Sequence, residues 1–141
     1  MSFVAFSPLP CALGIAVYWI ALGMLGLTQR ADREAGRMVY AAGALGGLLL
    51  AVTAAWSLGD APMAVQLPLG LPGLPFHLRL DSLSAFFLLL LGLAVAGISL
   101  FATGYFTSGS TADSGLTCLH YHLFLAAMVG AVLVGKRDLK V

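Results

Sequence analysis

Charge is what this sequence lacks most. Only 9% of its 141 residues are Asp, Glu, Lys or Arg, against about 25% in an ordinary soluble domain, too few to cover a water-facing surface. Seven Lys and Arg residues against six acids leave a net charge of +1, and they are scattered. No basic face exists that could displace counterions from phosphates, so nucleic acid is excluded as a partner. Cysteine is nearly absent: Cys11 and Cys118 stand far apart in apolar surroundings, which offers neither a disulfide framework nor a metal spacing and reads as two small buried hydrophobes. No Lys or Arg precedes Arg30, so the first apolar run lacks the positive n-region of a cleaved signal peptide and is expected to stay in the membrane. G-x-S-x-G is missing, and neither Ser84 nor Ser99 has a His and an Asp placed by any nucleophile motif.

What the chain has instead is apolar length. Hydrophobic residues make up 60% of it and the mean hydropathy is +0.99. Uncharged runs at 9–28, 38–59, 82–106 and 117–135 each approach the roughly 20 residues that a helix needs to cross a bilayer. The expected fold is an all-α membrane protein with four transmembrane helices in a single unit. Gly43 and Gly47 form a small-xxx-small step on the second run, a surface for close helix packing or a chance pairing in a Gly-rich sequence. The third run, with FFLLLLGLAVAG, is apolar all round, as expected of a helix with lipid on most sides. The Gly- and Ser-rich GYFTSGSTADSG after it reads as a flexible loop. The fourth run reaches full length only with His120 and His122 included, which leaves its start uncertain.

Between the first two runs lies QRADREAGR, residues 29–37, the densest charge in the chain and the expected loop between antiparallel spans. Its Arg30, Arg33 and Arg37, against Arg79 alone in the 60–81 segment, place this loop in the cytoplasm and the N-terminus outside. The tail KRDLKV at 136–141 carries three more cations on what would then be the outer side.

The 60–81 segment is built differently. Pro62, Pro68, Pro72 and Pro75 with Gly70 and Gly73 forbid a continuous helix. Val65, Leu67 and Leu69 fall two apart, and then Phe76, Leu78 and Leu80 alternate with His77, Arg79 and Asp81. Two alternating runs around LGLPG predict a β-hairpin over about 64–81 at the membrane surface, with Arg79 and His77 turned to headgroups or water. Asp81 and Ser82 can then cap the third helix, where the helix dipole also favours the carboxylate. The alternative role for Asp81, taking protons or cations, fits less well, because working intramembrane acids sit deeper and are paired.

On these residues the chain resembles a family. A hairpin ending in D-x-L-S (Asp81, Leu83, Ser84) and a following helix closing with Gly104 and Tyr105 are similar to the third-helix region of the antiporter-like, proton-conducting membrane subunits of respiratory complex I and Mrp antiporters. LPLGLPGLPFHLRLD and YHLFLAAMVGAVLV look most like the hydrogenase-4 component B and formate hydrogenlyase subunit 3 branch. The resemblance implies a multi-pass protein of the inner (plasma) membrane. It would be a non-catalytic subunit of an oxidoreductase complex, with other membrane-arm subunits and, indirectly, a hydrogenase module as partners. It implies no redox cofactor in this chain, since the nickel–iron and iron–sulfur chemistry would sit in partner subunits. Family members carry many more helices, with buried Lys, Glu and His near the midplane of inverted repeats. Here an acidic turn and a Trp-Glu helix are replaced by GKRDLKV. The resemblance therefore implies an N-terminal, truncated fragment unable to translocate protons alone. The alternative is a small independent four-span membrane protein with a structural or assembly role.

Proton movement through lipid needs ionisable groups inside the bilayer, and the four apolar runs contain no Lys, Arg, Asp or Glu. His120 and His122 are the weak proton-site candidates. Their i, i+2 spacing puts them on different helix faces, so they cannot share one metal. The expectation is interfacial histidines at a helix entry, with Tyr121 as an anchor beside them. Trp19 and Tyr18 are expected in the core, and Trp56 and Tyr105 in the aromatic belt.

Overall fold

The computed structural model describes residues 8–28, 33–67, 76–105 and 114–134. Four helices carry the fold: α1 (Pro8–Thr28), α2 (Arg33–Ser57), α3 (Ser82–Tyr105) and α4 (Ser114–Leu133), with strands β1 (Met63–Leu67) and β2 (Phe76–Leu80) between α2 and α3. All four are long and apolar enough to cross a membrane. The chain is a four-helix, multi-pass membrane protein with a short antiparallel hairpin.

Local sequence explains the ends. Pro8 and Pro10 fall in the first turn of α1, where a missing amide hydrogen leaves nothing unsatisfied. α2 closes through a turn in which Leu58 N–H donates to Ala55 O and Asp60 N–H to Ser57 O, just before Pro62 forbids continuation. α2 opens at Arg33, earlier than its apolar run, so Arg33 to Arg37 are helical rather than loop. Hydropathy marks where a chain enters lipid, while a helix extends into water as long as its backbone bonds hold and an acid such as Glu34 suits its first turn. α4 likewise starts at Ser114, three residues before its apolar run, and α2 ends two residues before Gly59.

The helices run up, down, up and down. Trp19 meets Gly46 and Val39 meets Gly26 across α1 and α2; Ser99 faces Gly43 and Gly92 faces Gly47 across α3 and α2; Cys118 meets Gly26 and His122 meets Gly23 across α4 and α1. In each pair rising numbers on one helix meet falling numbers on the other. The tightest approach of backbone to backbone among the described glycines is α2 on α3, where a Cβ on Gly92 would lie 2.6 Å from the Gly47 carbonyl oxygen and 2.7 Å from the Ala51 nitrogen. Small residues let backbones touch, which is how helices attract one another where lipid supplies no hydrophobic drive. The inner core includes Leu9, Trp19, Leu50, Leu88, Val95, Val129 and Leu133, all buried. The outward faces carry Val17, Leu45, Leu49, Phe86, Leu93, Phe101 and Phe124, all exposed, as lipid contact requires.

β1 pairs with β2 in the register Met63 to Leu80 and Leu67 to Phe76. Leu78 and Leu80 are buried and His77 and Arg79 exposed, the alternation expected of a strand lying on helices. β2 also bridges at Leu78 to Val134, just beyond α4. The expected turn at LGLPG, Leu69, the 106–113 loop and the 136–141 tail lie outside the described residues.

Candidate functional site

Two places in the bundle gather polar side chains, one around Asp81 and one around His122. At the hairpin end, the Ser84 amide donates to Asp81 Oδ1 at 2.8 Å, and the Ala85 amide donates to the Asp81 carbonyl at 2.9 Å. Asp81 is thus the N-cap of α3, accepting at the third helical position. That bond, followed by the nearby Arg79 charge, holds its carboxyl below the usual carboxylate range. Ser82 occupies the first helical position and is exposed, so the cap expected of two residues is made by one. Ser84 works twice: its hydroxyl also donates to the Val132 carbonyl of α4 at 3.4 Å. In D-x-L-S, then, the aspartate starts α3, the serine ties it to α4, and Leu83 faces outward. At the far end of α3 Gly104 is exposed and Tyr105 stacks on Phe101 with ring centroids 5.9 Å apart. Trp56 and Tyr105 are both exposed near span ends, where an aromatic belt belongs.

The second place is the centre of the membrane. His120 is exposed, its Nδ1–H donating back to the Leu116 carbonyl at 2.7 Å. His122 is fully buried, which corrects the expectation that both histidines sit at the interface. Residue 122 lies eight positions into a helix that starts at Ser114, about 12 Å along its axis, so the i, i+2 spacing turns one imidazole outward and the other into the bundle. Tyr121 is no anchor in the headgroups either: its hydroxyl pairs with Ser99 Oγ at 2.9 Å.

Every helix contributes to the surroundings of His122. From α1, Gly23 packs against the His122 Cβ, and Trp19 Nε1–H donates to the carbonyl of the neighbouring Gly43 at 3.4 Å. From α2 come Tyr40, whose ring centroid is 5.9 Å from that of His122, and Gly43, whose missing side chain leaves the place for the imidazole: a Cβ there would lie 2.9 Å from Nε2 and 3.4 Å from Ser99 Oγ. From α3 comes Ser99, fully buried. From α4 itself, the Tyr121 ring lies nearly perpendicular to His122 with centroids 5.2 Å apart, and Cys118 places its sulfur 3.5 Å from Nδ1. His122 Nδ1 lies 2.8 Å from the Cys118 carbonyl oxygen. A carbonyl only accepts, so Nδ1 carries the hydrogen and Nε2 of the neutral ring is a bare acceptor. Nε2 has no hydrogen-bond partner among the described residues.

Residue types alone gave little warning of this cluster. Tyr40, Ser99 and Cys118 lie on three runs with no shared motif, and only the folded bundle brings them together. Tyr18, expected in the core, is partly exposed and reaches the Ala42 carbonyl at 3.0 Å, while its neighbour Trp19 takes the inner position. No group of three metal-ligating side chains occurs among the described residues. No family model and no curated protein matches the chain, so its functional reading rests on residues and geometry.

Proposed function

We propose that this chain is the N-terminal, four-helix part of a proton-conducting membrane subunit in a hydrogenase-linked or complex I-like assembly, serving there as packing scaffold and incapable of translocating protons alone. The observation that carries the reading is the hairpin-to-α3 junction: Asp81 capping α3 through Ser84, and Ser84 in turn joined to α4. This gives a physical reason for the D-x-L-S sequence on which the family resemblance stands. The charged stretch 29–37 faces the cytoplasm and the hairpin the outer side of an energy-conserving inner (plasma) membrane, in keeping with the arginines at 30, 33 and 37.

A second reading, a small independent four-span protein with a structural or assembly role, is favoured by the inner packing, in which all four helices share one core. The test is purification of the tagged chain from its own membranes in mild detergent, followed by mass spectrometry of what accompanies it. Hydrogenase and membrane-arm subunits in fixed proportion are the expected result. Recovery of the chain alone or with copies of itself overturns the assembly reading and leaves the second.

A further inference from the structure

We infer that His122 is a proton-binding site at the centre of the membrane, its imidazolium held between the rings of Tyr40 and Tyr121. The inference rests on the surroundings of the imidazole and stands apart from the family reading. An ionisable side chain at this depth marks a functional site by default, because lipid offers it no solvation. His122 is also the one whose lone pair is buried without a partner among the described residues.

The packing selects the ligand. Even a methyl group on Gly43 would press on Nε2 at 2.9 Å, so the Gly43 side of the imidazole has no space for a metal or an organic molecule. A proton needs no space. On binding it forms a bond to the Nε2 lone pair; no other bond breaks, and the ring gains one positive charge while Nδ1–H stays on the Cys118 carbonyl. The Ser99 hydroxyl flanks the same side of Gly43 as Nε2, and it pairs with Tyr121 Oη at 2.9 Å. Two aromatic rings have their centroids 5.9 and 5.2 Å from that of the imidazole, within the roughly 6 Å at which a cation over a ring face is attracted to it.

The groups facing His122 are few. α1 brings only Gly23, which carries no polar side chain, α2 the Tyr40 ring, α3 the Ser99 hydroxyl, and α4 the Cys118 thiol and the Tyr121 ring. No carboxylate and no cation joins them among the described side chains, Glu34 and Arg37 of α2 being exposed in its first turns. The rings and the hydroxyl pair are therefore what can hold the proton.

The experiment uses the full chain in lipid nanodiscs with ¹⁵N-labelled histidine, the His122 signals being identified by their loss in His122→Asn. At alkaline pH the ring should show one protonated nitrogen, Nδ1, and on acidification both, with the near-ultraviolet dichroism of the buried Trp19 unchanged between them. A ring that stays singly protonated for as long as that dichroism survives overturns the inference. So does a second proton that arrives only as the dichroism collapses, because His122 is then a buried neutral residue charged by unfolding. Tyr121→Phe, which keeps the ring, should retain the doubly protonated form on acidification, and Tyr121→Leu should lose it. Equal behaviour of the two variants overturns the role of the ring, and the unmodified chain decides the first point even if Tyr121→Leu fails to insert.

Discussion

Asp81 shows how a single side chain can look catalytic and be structural. It is the acid nearest the membrane on the hairpin side of α3, yet its Oδ1 is already taken by the Ser84 amide at 2.8 Å, and Arg79 adds a favourable charge. Because folding lowers its affinity for protons, its stabilisation is present above the unfolded value of about 3.9 and is lost as pH falls through the lower folded value. Asp81→Ala should therefore reduce stability by about 1 kcal/mol at neutral pH, the usual worth of an N-cap. Asp81→Asn, itself a good cap, should lose little at neutral pH while removing the acid dependence below about pH 4. Thermal unfolding in mild detergent from pH 3 to pH 7 measures both, and an Asn variant as weak as the Ala variant would show that charge rather than capping geometry is what Asp81 supplies. Ser84 makes a second case: replacing it by Ala leaves its amide on Asp81 but removes the bond to Val132.

At the scale of the helix, the decisive contact is α2 on α3. Gly47 and Gly92 press backbone on backbone, with no flexible side chain between them to yield. Gly92→Ala must push the helices apart, and a loss of about 1 to 3 kcal/mol is expected from overpacking. Gly97→Ala is the control, since a Cβ there meets nothing within 4 Å, and it should be neutral or slightly stabilising because alanine is the better helix former. Comparing the two thermal midpoints checks the assignment. The contrast also explains what could be read in the sequence. The existence of four helices was legible from apolar length, and the hairpin and its cap from Pro, Gly and the two-residue alternation ahead of Asp81. Which face of each helix turns inward was not legible, because a span that is apolar on all sides carries no amphipathic stripe to fix its rotation. Hence Gly43 and Gly47 were recognisable as packing residues, while Tyr18 was misplaced inward and His122 outward. The mid-membrane cluster was hidden for the same reason: its members come from four helices whose rotations are set by glycine contacts.

Considered whole, the bundle is closed unevenly. α2 meets α3 closely and α4 meets α1 closely, but α3 and α4 touch far less. Their seam is held by Ser84 to the Val132 carbonyl near one end and by Ser99 with Tyr121 towards the other. The hairpin lies across the first of these, with Leu78 and Leu80 buried and Leu78 bridged to Val134. A surface hairpin in this position acts as a clip on the weakest seam of the molecule, and stability differs locally where contacts are few. Leu78→Asp should therefore loosen α4 selectively: faster amide hydrogen exchange across Val129 to Leu133, with the amides around Gly47 and Gly92 unchanged. Uniformly faster exchange in all four helices would instead make the hairpin part of the global core. Exchange unchanged everywhere would leave the two seam hydrogen bonds sufficient by themselves and turn attention to the outer face of the hairpin, where His77 and Arg79 are exposed. Deleting residues 64 to 80 separates that outer face from the clip. Four-span insertion should survive the deletion while co-purification with partner subunits is lost, and partners retained at full yield without the hairpin would place their contact elsewhere on the bundle.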